Sequence, residues 1–170
     1  CSRSALEQAV RLARWNNARL RMVHAISPTS VNSCDETLQH TLDELRDQIR
    51  KHAIARLADW AGEAGAPAGH SREVINGVPL DVLLTESRSG DADLLVLGVT
   101  GDSLLPNGAG TLATKCLRKA GTKVMLVNAT HARPFRRIVA CVDFSETSRA
   151  AVAQAGRVAG DARLRHGASE

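Results

Sequence analysis

Four residues in the middle of this chain have the types and spacing to hold an anion: Gly98, Gly101, Gly110 and Thr111. The run Asp93-Leu-Leu-Val-Leu-Gly98 reads as a buried strand, and the pair Gly110-Thr111 opens a short helical segment. Glycine serves where a chain turns sharply or where a ligand must approach the backbone closely. A glycine-rich turn between a strand and a helix gathers backbone N–H groups at one place. The first turn of the following helix adds unpaired amides and the positive end of its dipole. The chemistry this permits is capture of a phosphate-like group at the carboxyl edge of a sheet. Rapid nucleotide hydrolysis is not expected, because the loop lacks the Gly-Lys-Ser/Thr ending of a P-loop.

The other reactive side chains carry less. No Gly-x-Ser-x-Gly elbow surrounds Ser103 or Ser145, so neither reads as a nucleophile. Helix capping or phosphate contact suits Ser145 and Thr111 better. His24 lies inside a strand pattern and reads as a core histidine. Cys1, Cys34, Cys116 and Cys141 form no Cys-x-x-Cys pair. Cys116 and Cys141 sit in apolar helix and strand patterns, as small buried hydrophobes in a reducing compartment do.

The elements that must position the glycines follow from hydrophobic periodicity. Helical spacing covers Ser2–Arg14, Asp35–Gly62, Pro79–Ser87, Thr111–Lys119 and Ser145–Ala159. Strand patterns cover Ala18–Ile26 (Leu20, Val23 and Ala25 inward), His70–Ile75, Asp93–Gly98, Lys123–Asn128 and Arg136–Val142. Alternation of this kind predicts an α/β fold, a doubly wound parallel sheet with helices on both faces. Residues 1–128 form one domain, 129–135 a linker with one proline, and 136–170 the start of a second repeat.

Composition narrows the class. The 170 residues are 44% hydrophobic but only 2% aromatic, so the core is aliphatic and no aromatic platform for stacked bases exists. A net charge of +4, spread along helices, implies mild anion preference and no nucleic-acid footprint. No stretch has the length and apolarity of a membrane span, and no leader pattern stands at the start, so a cytoplasmic location is expected.

The chain repeats itself. Ser148-Arg149-Ala-Ala-Val-Ala-Gln154-Ala155-Gly-Arg157-Val-Ala159 lines up with Ser2-Arg3-Ser-Ala-Leu-Glu-Gln8-Ala9-Val-Arg11-Leu-Ala13. After a two-residue gap, Ala162-Arg163-Leu164-Arg165 lines up with Ala18-Arg19-Leu20-Arg21. So many identities imply duplication.

Taken together, these residues resemble the universal stress protein family. Its nucleotide-side pattern is Gly, two residues, Gly, nine residues, Gly, then Ser or Thr. Gly98, Gly101, Gly110 and Thr111 match it, with eight residues instead of nine between Gly101 and Gly110. The shorter loop carries Pro106-Asn107-Gly108, and Asp102 follows Gly101. Asp143-Phe144-Ser145 looks like the end of the family's first strand. The repeat suggests a tandem member whose halves are both incomplete in this chain. A strand equivalent to Arg136–Val142 and Asp143 has no counterpart before residue 1, and the second repeat stops at Glu170.

The resemblance implies ATP or a related adenine nucleotide, with or without Mg²⁺, lying over the carboxyl ends of the strands. Its site residues would be Ala25, Leu97, Gly98, Gly101, Gly110, Thr111 and Asp143. It implies a stress-response role exerted through the bound state and dimerisation, with at most slow ATP hydrolysis. A nucleotide-free dimerising scaffold is the alternative. The expected partner is a second copy, through the edge strand Val124–Val127 or by exchange of the strand at 136–142. Neither nucleic acid nor membrane is expected as a partner.

Overall fold

The computed structural model describes residues 2–27, 36–89, 92–99, 110–128, 135 and 137–166. The chain divides into two compact units, Cys1–Ala132 and Arg133–Glu170.

The first unit opens with α1 (Ser2–Asn16), which buries Ala5, Gln8, Val10, Leu12 and Ala13 along one stripe. Gln8 is 1% exposed. Its Oε1 accepts bonds from Arg11 Nη2 at 2.6 Å and Nε at 3.1 Å. Its amide nitrogen has no partner among the described residues. The helix stops because Asn17 turns left-handed (φ 49°), a conformation asparagine tolerates. The turn lets the Ala18 amide reach Ala13 O at 2.8 Å, as in a Schellman closure.

β1 (Arg21–Ile26) pairs in parallel with β2 (Ser71–Asn76), with Arg21 opposite Ser71 and Ala25 opposite Ile75. Between them runs α2 (Glu36–Glu63), closed by the Ala66 amide on Ala61 O at 2.9 Å and a left-handed Gly65 (φ 62°). The Arg14 guanidinium donates to the Gly65 carbonyl, and Arg3 pairs with Glu63 at 2.8 Å, joining the ends of α1 and α2. Arg21 bridges Glu73 at 2.7 Å and Glu86 at 2.8 Å, linking β1 to β2 and to α3 (Pro79–Arg88). These pairs are partly exposed, so each contributes on the order of 0–1 kcal/mol.

β3 (Leu94–Gly98) pairs in parallel with β4 (Lys123–Val127), and α4 (Thr111–Lys119) connects them. The α/β architecture matches the expectation, with parallel pairing throughout. Among the described residues the strands nevertheless form two two-stranded ladders, β1-β2 and β3-β4, rather than one continuous sheet. α1 packs on β3, β4 and α2; α2 packs chiefly on β2; α3 packs on β1 and α4.

The second unit departs from expectation. Residues 137–142 adopt no strand and are exposed, because no neighbouring strand supplies a ladder to them among the described residues. Cys141 is therefore exposed rather than buried. α5 (Glu146–His166) forms where a helix was expected but runs past Ala159. The two-residue gap in the repeat removes a counterpart of the Asn16-Asn17 stop, so nothing breaks the helix where α1 ends. In β1, Met22 is the buried residue (6% exposed) and His24 is exposed. A strand bonded on one side only does not enclose its residues as an interior strand would, so His24 is no core histidine.

Candidate functional site

The carboxyl end of β3 and the start of α4 are fastened to one another. Gly98 stands opposite Val127 in the β3-β4 ladder. One residue on, the Val99 amide donates to Val127 O at 2.9 Å. The Val99 carbonyl then accepts the Gly110 amide at 2.6 Å. The exit from β3 and the entry to α4 thus meet at one hydrogen bond.

Gly110 is the N-cap of α4, with extended backbone (φ −55°, ψ 155°) and no side-chain cap. Its carbonyl accepts the Thr114 amide at 3.0 Å and starts the helix. The amides of Thr111, Leu112 and Ala113 precede the first intrahelical bond, the position at which helices leave donors for an outside acceptor. No acidic residue lies in the first turn, and Arg118 and Lys119 occupy the last. The positive end of the dipole is therefore not offset by a carboxylate of its own helix.

What holds α4 in this attitude is packing. Ala113 (4% exposed) and Cys116 (0%) lie one turn apart on the buried side, while Thr111 is exposed. Burial pushes the Cys116 thiol above its ordinary range and keeps it neutral. Ala120 closes the helix on Cys116 O at 2.8 Å. Thr122 Oγ1 donates to Ala92 O at 2.7 Å, tying the start of β4 to the approach to β3.

Leu97, Gly98, Gly110 and Thr111 are brought together by this arrangement. Ala25 lies on the other ladder, half-buried near the carboxyl end of β1, where Ile26 O accepts the Gly77 amide at 2.9 Å. Gly101 lies outside the described residues, as do Asp102 and Pro106-Asn107-Gly108. Asp143 belongs to the second unit. There Asp143 Oδ1 accepts the Ser145 amide at 3.0 Å, and Ser145 Oγ accepts the Ser148 amide at 3.1 Å. Ser145 thus caps α5, one of the two roles expected for it. The Ser145 hydroxyl, then its amide, then the Ser148 hydroxyl hold the Asp143 carboxyl below the usual carboxylate range. Phe144 between them is left-handed (φ 63°) and 93% exposed.

Sequence reasoning overlooked Val99, whose amide and carbonyl make both bonds of the fastening. Its side chain gave no sign, since a backbone role is open to any residue but proline.

A profile of the Universal stress protein family matches residues 1–128. The chain belongs to the universal stress protein family. Among solved structures, the fold is similar to the universal stress protein UspA from Lactobacillus plantarum, with 22% identity and a TM-score of 0.64, over 73% of this chain and 87% of that one. It is also similar to a universal stress protein crystallised in complex with cAMP, with 27% identity and a TM-score of 0.53, over 74% of this chain and 87% of the other. A search of curated proteins finds no match. Among the described residues, no helix is long and apolar enough to cross a membrane.

Proposed function

We propose that this chain binds an adenine nucleotide at the carboxyl ends of its strands. The phosphate sits on the first-turn amides of α4, and the nucleoside lies toward Ala25 and Leu97. The observation that carries this reading is the Val99–Gly110 bond, which seats an uncapped helix start directly beside the glycine end of β3. It is supported by a family relative bound to cAMP. In this reading Gly98 and Gly110 keep side chains away from the phosphate, and Thr111 donates its hydroxyl. Where the nucleotide is ATP, Mg²⁺ accompanies its phosphates.

The bound state then acts in a stress response in the cytoplasm, through a dimer formed at the β4 edge, within a tandem protein. Isothermal titration with cAMP, AMP and ATP, with and without Mg²⁺, tests the binding. Saturable heat from at least one nucleotide is expected; a flat response to millimolar concentration rejects it. The eight-residue spacing between Gly101 and Gly110 favours the second reading, a nucleotide-free dimerising scaffold. A dimer that binds none of these ligands would support that reading.

A further inference from the structure

The backbone of β2 has two sides, and β1 occupies one of them. In an extended strand a residue's N–H and C=O point to the same side, and successive residues alternate sides. The Ser71 amide donates to Leu20 O at 2.9 Å, and the Gly77 amide to Ile26 O at 2.9 Å. Ser71, Glu73, Ile75 and Gly77 therefore face β1, while Arg72, Val74 and Asn76 turn their backbone groups the other way. Among the described residues β2 is paired with β1 alone, so the Arg72, Val74 and Asn76 groups form an edge without a ladder.

A groove of about 330 Å³ follows that edge, lined by Arg72, Glu73, Val74 and Ile75 of β2 and by Arg50 and Ile54 of α2. Four consecutive strand residues line one groove only along an edge, because their side chains alternate between faces. Val74 is buried on the face that α2 packs against, and Arg72 shares that face. Arg50 and Ile54 stand one turn apart on α2, and Ile54 is 45% exposed. The charges in the groove are unequal. The Glu73 carboxylate is held by Arg21 at 2.7 Å. Arg50 and Arg72 are exposed, and neither has an ion-pair or hydrogen-bond partner among the described residues. Two free guanidinium groups thus stand beside an apolar floor of Ile54, Val74 and Ile75, next to unpaired backbone donors and acceptors.

We propose that the β2 edge takes an extended acidic peptide segment of a partner protein as an added strand. Its main chain completes the ladder at Arg72, Val74 and Asn76. A carboxylate side chain meets Arg72 and Arg50, and an apolar side chain two residues away lies on the same face against Val74 and Ile54. In recognition of this kind main-chain bonds supply affinity and alternate side chains supply selection. A second copy of β2 is a poor occupant, because it brings two more guanidinium groups to a groove that already holds two. A free anion such as phosphate satisfies the arginines but leaves the backbone groups and the apolar floor unused. The proposal does not rest on the nucleotide reading.

The test titrates the 170-residue chain with a capped, fluorescently labelled peptide, Thr-Glu-Thr-Val-Thr-Val-Thr, and reads amide exchange with and without it. Saturable binding is expected, with the Val74 and Asn76 amides fast in the free chain and slowed by the peptide. A peptide with Lys in place of Glu should bind about tenfold more weakly or worse. Arg50→Glu and Arg72→Glu should each weaken the Glu peptide by about the same factor. Both side chains are exposed, so the thermal melt should not move. The Lys peptide should bind Arg72→Glu better than it binds the wild type, a reversal that a folding defect does not produce. No saturable binding up to millimolar peptide overturns the proposal, and so does equal affinity for the two peptides. Inorganic phosphate that displaces the peptide, with Val74 and Asn76 fast throughout, reduces the groove to an anion site and overturns the added strand. Slow exchange of those amides in the free monomer overturns it too, because the edge is then already covered. Slow exchange that appears only at high chain concentration, without peptide, assigns the edge to a second copy instead.

Discussion

At the scale of single residues, Gly110 separates helix stability from ligand capture. Its backbone (φ −55°, ψ 155°) is open to any amino acid, so glycine is not required there by conformation. Aspartate is a good N-cap, and a carboxylate at a helix start is favourable by about 0.3–1 kcal/mol. Gly110→Asp should therefore leave the melting temperature unchanged or slightly raised. Two negative charges about 4 Å apart repel by about 1 kcal/mol in bulk water and about 4 kcal/mol near a protein surface. The same change should accordingly weaken nucleotide binding about tenfold or more, read by titration beside a thermal melt. Asp143 makes a second test. Its carboxyl is held below the usual range by Ser145 and Ser148, so its contribution to α5 is present above the unfolded value of about 3.9 and fades as pH falls through the lower folded value. The far-UV helical signal of the wild type should drop in that acid window, and Asp143→Asn should flatten the drop.

At the scale of elements, the turn from β2 into α3 leaves no room for a methyl group. A Cβ on Gly77 would meet Val82 Cγ2 at 2.8 Å, and Val82 is 8% exposed with a stiff, branched side chain. Gly77→Ala should cost about 1–3 kcal/mol of unfolding free energy through overpacking. A double-mutant cycle with Val82→Ala should show a favourable coupling in chemical denaturation, since the two changes share one space. The packing of α4 predicts a related effect. Cys116→Ser places a hydroxyl where the thiol is wholly buried, and should cost about 1–3 kcal/mol if that hydroxyl finds no acceptor. Cys116→Ala should cost less.

At the scale of the whole molecule, a ligand spanning both ladders would act as a fastener between them. A nucleotide at one hundred times its dissociation constant adds about 2.7 kcal/mol to the stability of what it binds. If it bridges Ala25 on β1 and Gly98 on β3, slowed amide exchange should appear in β1-β2 as well as in β3-β4. Protection confined to β3, β4 and α4 would mean a phosphate-only contact at the start of α4. A sheet feature at the same scale went against the pattern of residues. Arg136–Val142 has the composition of a strand, yet a strand exists only where another backbone completes its ladder.

The sequence by itself determined the helices and strands of residues 2–128, because each is a local matter of apolar spacing and stop residues. α4 falls at Thr111–Lys119 as expected, and the left-handed stop at Asn17 was available to asparagine from the start. It also marked Gly98, Gly110 and Thr111, since glycine beside a helix start leaves the backbone open to close approach. Only the tertiary structure decided that Val99 would join them, that His24 and Cys141 would face solvent, and that the strands would stand as two ladders. Those outcomes depend on which backbone groups find partners far away along the chain, and side-chain patterns do not encode that choice.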